Sequence, residues 1–194
     1  MHLGNRVSIF VVLAAASIVG FSQVADVSKQ LKREQGMLQE LKAPEIIIRK
    51  KQRVLEVYDG GKLVKTFKMV LGFAPTGDKE IEGDGKTPEG EFFVFTKNPA
   101  SKFHLSLGLS YPSVDDARRG FEKGLITKAG RDEIVSAIDQ KKMPPQKTPL
   151  GGEIYIHGGG TERDWTWGCV ALQNTAIEEL FKAIPVGTKV TIVP

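Results

Sequence analysis

Hydrophobic positions along the chain fall into three regimes. Residues 7–21 form one continuous apolar run with Arg6 ahead of it. Residues 26–42 are polar, with Val27, Leu31, Met37, Leu38 and Leu41 at loosely helical spacing. After Pro44 the apolar residues come in short β-branched and aromatic bursts bounded by turn residues, the pattern of strands rather than of a helical bundle. Strands are predicted at 46–48, 54–58, 63–71, 91–95, 103–109, 153–157 and 189–193, with Asp59-Gly60-Gly61 as a hairpin turn and 72–90 as a loop.

Helical signals interrupt this pattern. Ser113 with Asp116 reads as a capping box opening a helix that runs to Lys123. Residues 127–141 place Ile134, Val135 and Ile138 on one face and stop at Met143-Pro144-Pro145. Thr175 with Glu178 reads as a second capping box, with Ile177, Leu180, Phe181 and Ile184 as the core face of its helix. The expected fold class is mainly β with short helices.

Composition adds bounds. The 194 residues, 41% hydrophobic and 26% charged, suffice for one domain with its own core. The run at 7–21 is short for a membrane span and suits the apolar region of a signal peptide; Gly20 and Ser22 are spaced for cleavage after Ser22. An uncleaved signal anchor is the alternative, and without a cysteine after the run a lipoprotein signal is excluded. The expected organisation is a signal peptide or signal anchor over 1–22, a polar basic linker over 23–44 and a domain over 45–194. The domain is then exported to the periplasm or cell envelope, and meets the membrane only through an uncleaved N-terminal segment.

The formal net charge is +4, with Lys29, Lys32, Arg33, Lys42, Arg49, Lys50, Lys51 and Arg53 gathered early. This charge fits a solvated linker better than an anionic partner surface. No aromatic residues interleave with these cations and no nucleic-acid motif is present, so nucleic acid is not an expected partner.

Candidate chemistry centres on Cys169, the single cysteine, which therefore forms no internal disulfide. Thiolate is the attacking form of cysteine, and a neighbouring imidazole can take the thiol proton and return it to a leaving amine. His157 ends an apolar strand, and Gly158-Gly159-Gly160 follows it, which lets the loop 161–166 return Cys169 to its side. The N–H groups of Gly168 and Cys169 are then candidates for an oxyanion hole. A free cysteine is also commonly a small buried hydrophobe, and the pair alone fits a structural cluster as well as a catalytic one. Zinc binding by Cys169, His157 and His104 lacks a fourth ligand and a compact spacing, so no metal is expected.

The segment IHGGGTERDWTWGCVALQN resembles the active-site motif of the L,D-transpeptidase catalytic domain, the YkuD-like family. His157-Gly158 matches its His-Gly, and Thr166-Trp167-Gly168-Cys169 its Ser/Thr-x-Gly-Cys. The resemblance extends through Thr87-Pro88-Glu89-Gly90, Thr148-Pro149-Leu150-Gly151-Gly152 and Val186-Gly187-Thr188-Lys189-Val190, over about 45–194. Two positions depart from many members: Trp167 stands where a second histidine is common, and Ala171 where an arginine is common.

The resemblance implies a mixed β-sandwich and a cofactor-free reaction on a peptidoglycan stem peptide through a Cys169 thioester. An amine resolves the thioester in a transpeptidase, whose acceptor is the wall or an envelope protein; water resolves it in a carboxypeptidase or an amide hydrolase of the envelope, and a non-catalytic wall-binding module is the remaining alternative. It also implies that the Gly158 carbonyl orients His157. His104, Tyr111 and Trp167 are the expected substrate contacts.

Overall fold

The computed structural model describes Leu38 and residues 40–194. The signal or anchor expected over 1–22, and the linker as far as residue 37, lie outside the described residues. No helix among the described residues is long and apolar enough to cross a membrane.

The chain order is β1 (Pro44–Arg49), β2 (Val54–Asp59), β3 (Lys62–Lys68), β4 (Gly90–Ser101), β5 (His104–Leu109), α1 (Val114–Glu122), α2 (Lys128–Asp139), β6 (Tyr155–His157), β7 (Val170–Ala171), α3 (Asn174–Ala183) and β8 (Lys189–Val193). The strands form one mixed sheet in the order β3-β2-β1-β8-β4-β5-β6-β7. β1 with β8 and β6 with β7 are parallel, and the other pairs are antiparallel.

β4 is longer than its apolar burst at 91–95 predicts. Its first half pairs with β8 and its second half with β5, and the register shifts between Val94 and Thr96. A bulge of this kind bends a strand and strengthens its twist. Beyond that burst, Lys97 and Asn98 extend the ladder toward Ser101, which pairs with His104. Beyond β3, Val70 exchanges backbone hydrogen bonds with Ala171 of β7 at 3.0 and 2.9 Å. The segment after one edge strand thus reaches the opposite edge, and the sheet curls around its core.

That core holds Ile46 and Ile48 of β1, Leu55 and Val57 of β2, Leu107 and Leu109 of β5, and Val190 and Ile192 of β8. α3 closes it with Ile177 and Leu180. α1 and α2 build a second, smaller cluster on Ala117, Ile134 and Leu150. α1 opens with the expected capping box: Ser113 accepts from the Asp116 N–H, and the Asp116 carboxylate accepts from the Ser113 N–H at 2.8 Å.

The second expected capping box does not form. α3 starts at Asn174, and its N-cap residue Gln173 makes no side-chain cap. Glu178 instead meets His104 Nε2 at 2.8 Å, because β5 runs beside the first turn of this helix.

Lys50, only 2% exposed, anchors the loop that the sequence places over 72–90. Its ammonium donates to the Thr87 carbonyl and to Glu89 Oε1, both at 2.8 Å, and to the Gly77 carbonyl. Removing one partner of such a pair strands the others in a poorly solvated place. Lys50→Met is expected to lower unfolding stability by about 2–3 kcal/mol, measured by urea denaturation.

Candidate active site

The parallel pairing of β6 with β7 sets the geometry. Ile156 pairs with Val170 and His157 with Ala171, which brings Cys169, one residue before β7, alongside Tyr155. The Tyr155 N–H donates to Cys169 Sγ at 3.4 Å. Side chains two apart on a strand share a face, so His157 emerges on the Tyr155 side about 6.6 Å further along. Cys169, Tyr155 and His157 all line one cleft, together with Phe103 and Ser106.

The turn after β6 orients the imidazole. His157 Nδ1 lies 2.6 Å from the Gly158 carbonyl. A carbonyl only accepts, so Nδ1 carries the hydrogen and Nε2 is left as the basic nitrogen. A Cβ on Gly158 would stand 2.6 Å from Asn174 Oδ1 and 2.8 Å from the Phe103 carbonyl, so only glycine fits there. Asn174 also accepts from the Gly159 N–H at 2.9 Å, and the first residue of α3 thereby holds the turn.

An aromatic enclosure surrounds the ring. Phe103 stacks on His157 with centroids 4.6 Å apart, and Trp165 meets it edge-on at 5.5 Å. Burial between these rings holds the His157 pKa below its ordinary value of 6.5, against the opposing pull of the Gly158 carbonyl. Burial also pushes the Cys169 thiol up to about 11; the Tyr155 N–H opposes this, and the charge of Glu153 adds to it. The resting pair is therefore thiol and neutral imidazole, not thiolate and imidazolium.

The thiol itself donates to the Glu153 carbonyl at 3.4 Å. Ultraviolet thiolate absorbance is expected to appear only as pH approaches about 11; absorbance already present at neutral pH would show an ion pair instead. The sign for stability follows. The folded thiol pKa is raised, so this contribution is complete below the ordinary value of 9.0 and is lost as pH climbs through about 11.

Gly168 shapes the approach to Cys169. Its φ is +126°, and a Cβ there would stand 2.7 Å from the Lys86 carbonyl. Gly168→Ala is expected to displace the Lys86 loop and cut Cys169 labelling by an active-site electrophile about tenfold or more, with the melting temperature measured in parallel. The Gly168 N–H donates to Thr166 Oγ1 at 3.2 Å, and Thr166 Oγ1 donates onward to the Cys169 carbonyl at 2.7 Å. In the resting structure that N–H is engaged within the loop.

The remaining expected contacts separate. Trp167 is 71% exposed, packs edge-to-face on Phe73 with centroids 4.9 Å apart, and lines a second cleft that also reaches Cys169. His104 is turned to Glu178 and lines neither of the clefts that reach Cys169. Tyr111 is fully buried, and its hydroxyl donates to the Leu150 carbonyl at 2.7 Å. The expected substrate contact at Tyr111 is therefore corrected: the ring belongs to the core. Phe103 and the Tyr155 N–H were missed. The register of the ladder, which ties Tyr155 to Cys169, is not visible along the chain.

Two clefts meet at the cysteine. The larger, about 880 Å³, is lined by Lys79, Glu82, Gln146, Lys147, Thr148 and Trp167 among others. The smaller, about 380 Å³, holds His157, Tyr155, Phe103 and Lys102. Cys169 and Glu153 are the two residues common to both linings.

The model of the YkuD family, the L,D-transpeptidase catalytic domain, matches residues 43–192. No curated protein matches the sequence. Among solved structures, the helical cell shape determining protein Pgp2 from Campylobacter jejuni is similar at 25% identity and TM-score 0.54, over 77% of this chain and 47% of that one. Bd1075 from Bdellovibrio bacteriovorus is similar at 21% identity and TM-score 0.52, over 81% of this chain and 52% of that one. The chain thus spans about half the length of these two relatives. The eight-stranded sheet with its short helices is the fold of this family, and the chain belongs to the L,D-transpeptidase catalytic domain family.

Proposed function

We propose that Cys169 is the nucleophile of an exported L,D-transpeptidase that acts on peptidoglycan stem peptides. The observation that carries this reading is a thiol on the shared wall of two clefts, with a neutral imidazole on one of them. One cleft presents an acyl donor and the other admits the acceptor. The larger, with exposed Trp167 and Lys147, suits the donor peptide.

In the reaction, the Cys169 S–H turns from the Glu153 carbonyl and gives its proton to His157 Nε2 as sulfur attacks the carbonyl of the diamino-acid residue. Charge develops on the carbonyl oxygen, for which the Cys169 N–H is the proposed donor. The C–N bond breaks, and His157 returns the proton to the departing amine of D-alanine. An acceptor amine, deprotonated by His157, then attacks the thioester and releases the thiol. Trp167 is the proposed substrate contact at the mouth of the donor cleft. Pgp2 is named for helical cell shape, and remodelling of the wall is the corresponding role proposed for this chain.

Intact mass after incubation with a stem tetrapeptide and a labelled amine tests the reading. The expected result is a Cys169 acyl adduct, D-alanine release and label in the product. D-alanine release without label would replace the transferase with a carboxypeptidase, and no adduct on Cys169 would overturn the nucleophile.

A further inference from the structure

Glu153 occupies an unusual place. It lines both clefts beside Cys169, and its side chain belongs to an exposed residue. Its backbone has φ +54°, a left-handed conformation that side-chain-bearing residues adopt at a cost glycine avoids. Both backbone groups are engaged: the N–H donates to Gln146 Oε1 at 2.7 Å, and the carbonyl accepts the thiol at 3.4 Å. The origin of the side chain is thus fixed next to the sulfur. A strained residue kept at a reaction centre points to a use for its side chain.

The charges around it leave that use open. Lys79, on the larger cleft, is held by Asp84 at 2.8 Å and the Ile81 carbonyl at 2.9 Å. Lys147 and Lys102 lie exposed, one on each cleft. No ion pair engages Glu153 among the described residues, and its charge is felt at both Cys169 and Tyr155. A carboxylate here disfavours the thiolate and repels a substrate carboxylate. It assists the reaction only if the bound substrate brings a cation next to the attacked carbonyl.

We infer that Glu153 is a specificity-determining residue that binds the free side-chain ammonium of the residue whose carbonyl meets Cys169. The inference rests on the reading of Cys169 as the nucleophile for a stem peptide. Such a site selects donors whose side-chain amine is still free and disfavours those in which it is already acylated, because an amide carries no charge to pair with Glu153.

The test compares two tetrapeptide donors, one with the side-chain amine free and one with it acetylated, on the wild-type chain and on Glu153→Gln. The wild type is expected to favour the free amine about tenfold in kcat/KM, mainly through KM. Glu153→Gln is expected to bring that ratio close to one, while alkylation of Cys169 by neutral iodoacetamide is retained or quickened. Equal use of both donors by the wild type would overturn the inference without need of any variant. So would a Glu153→Gln enzyme that keeps the wild-type preference, or one that changes kcat equally for both donors. If the wild type forms no acyl adduct with either donor, the proposed nucleophile fails instead.

Discussion

Cys169→Ala is expected to abolish acyl-enzyme formation and to lower turnover by at least about 10³-fold. The substitution removes the only group at the junction of the clefts able to form a thioester. Its structural cost is small: the sulfur accepts one long hydrogen bond from the Tyr155 N–H and donates one to the Glu153 carbonyl, both at 3.4 Å. The melting temperature is therefore expected to stay within a few degrees of the parent, so that lost activity cannot be assigned to unfolding. Cys169→Ser sharpens the test. A hydroxyl fits the space but is far less acidic than the thiol, which is itself held at about 11. The serine variant is expected to form no detectable adduct under conditions where the parent is fully labelled. Turnover by Cys169→Ala within a few-fold of the parent would overturn the assignment.

Local elements were readable along the chain where a few neighbouring residues decide the structure. The Ser113 and Asp116 box and the Asp59-Gly60-Gly61 hairpin are of this kind. Elements decided by distant partners were not. β4 runs past Lys97-Asn98-Pro99 because β5 is there to pair with it. The Thr175 and Glu178 box fails because α3 already starts at Asn174, with Thr175 inside it, and the Glu178 carboxylate meets His104, 74 residues earlier.

The site divides in the same way. His157, Gly158 and Cys169 stand out by residue type and motif. Their setting depends on tertiary contacts: Phe103 over the imidazole and the Tyr155 N–H on the sulfur. Tyr111 is placed at the cleft by the family resemblance, but its hydroxyl is satisfied inside by the Leu150 carbonyl.

His157→Gln is expected to lower kcat/KM at neutral pH by about 10²–10⁴-fold, and to leave a residual rate that rises with pH. A thiol held at about 11 is ionised only to roughly 10⁻⁴ at pH 7, so direct attack without a base starts from a very small population. Each added pH unit raises that population about tenfold, and the residual rate of the variant follows it until pH nears about 11. The parent behaves differently because it draws on neutral His157. The folded pKa of His157 lies below 6.5, so the imidazole is deprotonated and competent from neutral pH upward. Parental kcat/KM is therefore level near pH 7 and declines only as acidification protonates the ring. A purely structural loss would lower the rate by the same factor at every pH. A His157→Gln rate that stays flat as the solution becomes alkaline would remove His157 as the base, and the aromatic enclosure of Phe103 and Trp165 would then have to be explained by packing alone.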